Sequence, residues 1–203
     1  RLAEVRPKYY GTPSEPEWPA ADVIVGNPPF LGGNRIRAAL SDEYVDALFK
    51  LYEGRVPAFS DLCCYWFEKA RAMIAEGKAK RAGLLATNSI RGGVNREVLK
   101  RIKQSGGIFW AISDRDWILD GAAVNVSMVG FDNGLQKSRT LDDRRVSNIN
   151  SDLTASVDLT YARTLKENLS ICYQGPSPNA PFDIESNLAR KMLAAPPNPN
   201  GRP

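Results

Sequence analysis

The stretch Ala21-Asp22-Val23-Ile24-Val25-Gly26-Asn27-Pro28-Pro29-Phe30 decides the fold reading. Its first six residues form a short, almost continuous apolar run, the pattern of a strand buried on both faces in a parallel sheet. Two prolines then end any regular element, because neither can donate to a ladder and each holds the residue before it in extended backbone. The tetrapeptide Asn27-Pro28-Pro29-Phe30 thus falls just past the C-terminal end of a strand. In open α/β sheets that edge is where ligands bind.

Upstream, residues 1–20 carry Pro7, Pro13, Pro16 and Pro19 with little periodicity and read as a connector. Downstream, Ser41 can cap a helix over 41–52, with Tyr44, Val45, Leu48, Phe49 and Tyr52 as one stripe. A second helix is expected over 62–76. Asp61 is its N-cap, Leu62, Trp66, Phe67, Ala70, Met73 and Ile74 face inward, and Gly77 ends it. Residues 81–87 read as the next strand. A third helix near 94–104 turns Val94, Val98, Leu99 and Ile102 inward and stops at Gly106-Gly107. Strands follow at 108–112 and 122–131. The alternation argues a three-layer, Rossmann-like α/β domain with a mainly parallel sheet. The last two strands have no helix between them, so one of the pair is expected to be antiparallel. After about residue 135 the chain turns polar, with short extended segments to 160, weak helical character at 161–169, and Pro-, Asn- and Gly-rich stretches at 175–181 and 196–203. The expected organisation is a connector at 1–20, a partial fold unit at 21–135 and a segment at 136–203 that leads into a further domain.

Composition narrows the chemistry. The chain has 203 residues, with 27 Lys and Arg against 23 Asp and Glu, for a net charge of +4. Apolar residues make up 43% and charged residues 25%, a globular balance. No apolar run is long enough to span a membrane. There is no histidine, which excludes Ser-His-Asp and Cys-His catalysis and any His-ligated metal. The three cysteines, Cys63, Cys64 and Cys172, are too few for a four-thiolate zinc site or a disulfide framework, so no metal is expected and a reducing, cytoplasmic setting is. Chemistry must therefore run on carboxylates, amides, hydroxyls, aromatic rings or an organic cofactor. Cys63 and Cys64 have no basic neighbour to make a thiolate and read as packing residues.

The tetrapeptide meets that restriction. The Asn27 side-chain carbonyl accepts hydrogen bonds. The Pro28 carbonyl is free, because Pro29 prevents regular structure around it. Two acceptors are held close together beside the aromatic face of Phe30. This arrangement fits an amino group on a planar ring, whose lone pair is delocalised and poorly nucleophilic. Two acceptors on its N–H bonds favour a pyramidal nitrogen and return electron density to it, while an aromatic ring fixes the plane by stacking.

With these residues in hand, the stretch from Trp18 to about Gly134 resembles the C-terminal half of a class I, S-adenosylmethionine-dependent DNA methyltransferase of the adenine-N6 type. More narrowly it resembles the large enzymes of bacterial restriction-modification and phage-defence systems. Besides residues 22–33, the resemblance rests on Tyr65-Trp66-Phe67-Glu68-Lys69-Ala70, Leu84-Leu85-Ala86-Thr87-Asn88 and residues 121–131. It implies that Asn27, Pro28, Pro29 and Phe30 hold a target adenine that has left the duplex. Leu31, Gly32 and Gly33 would let backbone approach the substrate, and Arg35, with Asn34 and Arg37, would meet phosphates. Asn88 and Arg91, at a strand end, would line the base or DNA pocket. Trp117, or Leu119 by another alignment, would supply a second aromatic or apolar face. Asp61 has a weaker implied role near the cofactor, and Trp66 and Phe67 are expected in the core. The implied partner is double-stranded DNA, with nuclease or recognition domains fused elsewhere in the protein.

The Gly-rich turn and acidic residue with which this family binds S-adenosylmethionine are not visible before Asp22. The chain starts at Arg1 without Met, so an internal piece of a longer protein is expected, with the main cofactor motifs upstream. Two other readings stand beside this one. Protein-glutamine and RNA N-methyltransferases of the same fold also use Asn-Pro-Pro-aromatic. A non-catalytic DNA-binding remnant would also fit a chain without the cofactor half.

Overall fold

The structure, a computed structural model, describes residues 13–119, 122–157, 166 and 185–194. Among the described residues six strands form one open sheet: β1 (Ala21–Gly26), β2 (Ala79–Thr87), β3 (Gly107–Leu119), β4 (Ala122–Asp132), β5 (Arg139–Leu141) and β6 (Arg144–Val146), in the order β1-β2-β4-β3-β5-β6. β1 pairs with β2, and β3 with β5, in parallel; β4 and β6 run against their neighbours. The expected antiparallel member of the third and fourth strands is therefore β4, which is inserted between β2 and β3. The change in composition after residue 135 does not end the sheet. β5 and β6 extend it, and Ile149 and Leu153 are buried in the same core.

The described residues also form the helices α1 (Ile36–Ala39), α2 (Asp42–Leu51), α3 (Cys63–Ala75) and α4 (Arg96–Ser105), and, later in the chain, α5 (Ser186–Leu193). α2 starts as expected: the Ser41 hydroxyl accepts from the Tyr44 N–H at 3.2 Å, with Asp42 and Glu43 in the first turn and Lys50 in the last. α3 ends at Gly77, whose φ of +72° is the left-handed cap glycine takes without strain. Its start differs from expectation. The residue before it is Leu62, no side chain caps it, and the Asp61 carboxylate is bonded elsewhere. α4 buries Val98, Leu99 and Ile102; Val94, expected inward, precedes the helix and stays 46% exposed.

α3 and α4 pack beside each other on the face where Ala82, Leu84 and Ala86 are buried. Phe67 of α3 stacks on Phe131 of β4 with centroids 6.0 Å apart, and Phe131 sits opposite Ala82 in the register. Burying a side chain of this size is worth about 2–3 kcal/mol, so this layer carries much of the apolar stabilisation. One charge lies inside it. Glu68 is fully buried and takes a two-pronged hydrogen bond from Arg71 at 2.8 Å and 2.8 Å, and another from Arg101 at 3.2 Å and 3.2 Å. Burial pushes its carboxyl pKa up, but the two guanidiniums more than offset this and hold it below the usual range. Cys63 and Cys64 are buried and unbridged, as expected. A hydrogen bond with Cys63, together with burial, holds the Cys64 thiol well above its ordinary pKa and leaves it unreactive.

The chain divides into two units, residues 1–162 and 163–203. In the second, the described residues form α5, on which Leu188 and Met192 are exposed. Most of the expected 161–169 helix, the Pro- and Asn-rich stretches and Cys172 lie outside the described residues. Among the described residues no helix is long and apolar enough to cross a membrane, and no group of metal-ligating side chains forms.

Candidate active site

β1 and β2 run parallel with Gly26 opposite Leu84, so Asn27 and Asn88 leave the sheet at one edge. Thr87 pairs with Val126, and the β3–β4 ribbon continues past that level with Trp117 opposite Val124. The register therefore carries Trp117, half-buried, beyond the same edge; the Leu119 side chain lies outside the described residues.

At this edge Asn27 and Pro29 are exposed, Pro28 is buried and Phe30 is half-buried. A crevice of about 320 Å³ runs along the loop, lined by Trp18, Ile24, Val25, Gly26, Asn27, Pro28, Pro29, Trp66 and Leu84. Trp66 corrects an expectation: its neighbour Phe67 is core, but Trp66 is half-buried and forms a wall of this crevice. The i, i+1 step on α3 turns one ring to the sheet and the other to its rim. A second, apolar cavity of about 490 Å³ adjoins it, sharing Trp18 and Trp66 and adding Tyr44, Leu48, Tyr52 and Tyr65.

Two backbone amides anchor the loop on its C-terminal side. The Leu62 N–H donates to the Leu31 carbonyl at 2.8 Å, and the Gly33 N–H donates to Asp61 Oδ1 at 3.0 Å. Gly33 is buried, and a Cβ there would lie 1.7 Å from the Phe59 carbonyl oxygen. Its close approach is thus to the protein's own chain. Phe59 itself takes φ of +63°, a left-handed conformation costly for an aromatic residue, with its ring edge-on to Phe49.

Of the other expected residues, Arg35 and Gly32 are exposed next to this loop. Arg37 pairs with Asp42 at 3.1 Å and Asp46 at 2.6 Å, and these carboxylates raise its pKa. Asn88 donates weakly to Asp114 at 3.4 Å, and Arg91 donates to the Asp152 carbonyl at 3.1 Å. Asp61 has both carboxylate oxygens on protein donors: Gly33, Ser89 at 2.6 Å and Thr87 at 3.3 Å. The sequence reading missed Ser89 and Asn95, which join that network. The polar run Thr87-Asn88-Ser89 at a strand end was the available signal.

A mixed open sheet in which β4 and β6 are reversed, with the Asn27–Phe30 loop at the C-terminal end of β1, has the architecture of a class I methyltransferase fold. The family model of the DNA-methyltransferase domain of MmeI matches residues 10–142, and this chain belongs to that family. Among solved structures, the type IIL restriction-modification enzyme MmeI, solved in complex with DNA, is 23% identical with a TM-score of 0.56, over 68% of this chain and 20% of that one. A protein from Listeria monocytogenes assigned as a class I S-adenosylmethionine-dependent methyltransferase is 15% identical, with a TM-score of 0.43 over 63% of this chain and 38% of its own. A protein from Vibrio vulnificus assigned as a type I restriction-enzyme modification subunit is 14% identical, with a TM-score of 0.42 over 59% and 24%. This chain therefore spans about one fifth of the MmeI structure. No curated protein matches the sequence.

Proposed function

We propose that this chain forms the base-binding part of a DNA methyltransferase that modifies adenine at N6. The observation that carries the reading is the placement of Asn27-Pro28-Pro29-Phe30 directly after β1, with its acceptors on the rim of a crevice at the C-terminal edge of the sheet. In this reading the Asn27 side-chain carbonyl and the Pro28 carbonyl accept the two N–H bonds of an extruded adenine. They favour a pyramidal nitrogen, and the Phe30 ring fixes the base plane. Neither acceptor is basic enough to keep the proton that the amine loses, so it passes to water at the exposed side of Asn27. S-adenosylmethionine supplies the methyl group when bound. The aromatic and apolar lining of the crevice, with Trp66 and Trp18 beside Pro28, fits the adenosyl portion of such a molecule. The target must leave the duplex, because its amine is not accessible within the stack. The MmeI structure holds DNA, which supports DNA as the partner.

The test incubates the protein, at its natural full length, with unmethylated duplex DNA and labelled S-adenosylmethionine, then digests the DNA and identifies the modified nucleoside. N6-methyladenine, absent from the Asn27→Ala variant, is the expected result. Label in RNA or protein with none in DNA would overturn the substrate, and no label anywhere would overturn the activity.

A further inference from the structure

We propose that Asp61 is a positioning residue that fixes the Asn27–Gly33 loop against the end of β2, with Ser89 and Asn95 completing the clamp. The inference deepens the adenine reading and rests on it for its kinetic consequence. Three segments distant in sequence meet at this carboxylate. Oδ1 accepts the Gly33 N–H at 3.0 Å from the loop after the acceptors. Oδ2 accepts the Ser89 hydroxyl at 2.6 Å. The Thr87 hydroxyl lies 2.6 Å from Ser89 Oγ and 3.3 Å from Asp61 Oδ2, so its single proton serves one of them at a time. Asn95, buried, closes the circuit: its Oδ1 accepts the Asp61 N–H at 2.8 Å and its Nδ2 donates to Ser89 Oγ at 3.2 Å.

The chemistry of the donors separates this cluster from an ion pair. Each donor is neutral, so the carboxylate is held by hydrogen bonds to it and not by an opposing charge, and hydrogen bonds to a carboxylate are stronger than those between neutral groups. Phe59, in strained backbone, packs its carbonyl where a Gly33 side chain would be. Local strain of this kind persists where the surroundings over-determine it, at sites where position matters. Acceptors for a reacting amine need placement to within about half an ångström, and an error of 1 Å costs about a hundredfold in rate.

The test measures amide hydrogen exchange over residues 27–35 together with steady-state methylation kinetics, in the full-length protein. Asp61→Ala should speed exchange in that segment by about tenfold or more. It should lower kcat by about 30–100-fold with KM for DNA within about threefold. Asp61→Asn, whose Oδ1 still accepts from Gly33 and whose Nδ2 can donate to Ser89, should restore kcat to within about fivefold of the parent. Ser89→Ala, an exposed change with little bearing on folding, should speed the same exchange and lower kcat about 3–10-fold, and it decides the matter if Asp61→Ala does not fold. Unchanged exchange over 27–35 in a folded Asp61→Ala or Ser89→Ala protein would overturn the clamp, as would a loss carried by KM alone. Exchange does not depend on which atom is methylated. Faster exchange in a protein that makes no N6-methyladenine therefore retires the adenine reading and keeps the clamp.

Discussion

Asp61 and Glu68 lie seven residues apart around the first turns of α3, and they use the same functional group in opposite ways. Glu68 is buried in the helical layer, where two arginines neutralise it and tie α3 to α4. Asp61 lies at the sheet edge, where a backbone amide and two hydroxyls, all neutral donors, share it. Removing a partner from the first arrangement leaves a charge without compensation inside the fold. Removing the second frees a loop at the surface. The helical layer is thus tied together by a neutralised charge, and the sheet edge by hydrogen bonds that hold the loop after β1, in which we place the proposed acceptors Asn27 and Pro28.

This contrast can be broken or sharpened by substitutions that act on one region alone. The largest effect is expected at the edge. Asn27→Ala should cut methyl transfer by about 10²–10³-fold, as for the loss of one preorganised transition-state hydrogen-bonding group. A mobility-shift assay should show DNA binding within a few-fold, and a melting curve should be unchanged. Glu68→Gln should do the reverse. It should cost about 3 kcal/mol in urea denaturation, near a hundredfold in the folding equilibrium, with kcat unchanged at a temperature where the protein is folded. Because the Glu68 pKa is lowered on folding, its contribution is complete above the usual 4.5 and is lost as pH falls through the lower folded value. The parent should therefore lose stability in acid more steeply than Glu68→Gln.

A smaller effect is expected at Phe30. Phe30→Ala should lower kcat/KM by about 30-fold and Phe30→Tyr by no more than about threefold, since stacking on a base is worth about 1–3 kcal/mol and tyrosine keeps the face. Equal losses for both would detach Phe30 from the base. The smallest belongs to the helical scaffold: Ser41→Ala should remove the α2 cap for about 1 kcal/mol in thermal or urea unfolding, with no change in methylation.

Much of the sheet was legible because its signals are local. The runs at 21–26 and 81–87 mark strands, and the stripes of α2 and α4 follow from burying one face. The burial expected for 21–26 does not hold: β1 is the outermost described strand, with Val23 and Val25 50% and 78% exposed, because no described strand pairs on its far side. The strand order was not, because β4 slips between β2 and β3, a long-range choice that no local pattern encodes. The β5–β6 hairpin was also missed as part of this sheet. Its turn uses Asp142 and Asp143 at φ of 49° and 62°, where an Asn-Gly pair would have announced it. Trp66 and Asp61 show the same limit in side chains. Periodicity put Trp66 inward, and sequence position made Asp61 a cap, yet contacts with distant segments settled both.

The sequence by itself determined the α/β fold class and the loop in which we propose the chemistry. An apolar strand and Asn-Pro-Pro-Phe are properties of adjacent residues, and backbone stereochemistry ties them to one strand end. Only the tertiary structure decided what holds that loop. Gly33, Asp61, Ser89 and Asn95 come from separate segments, and hydrogen bonds between them form once β1, β2 and α3 are packed in register.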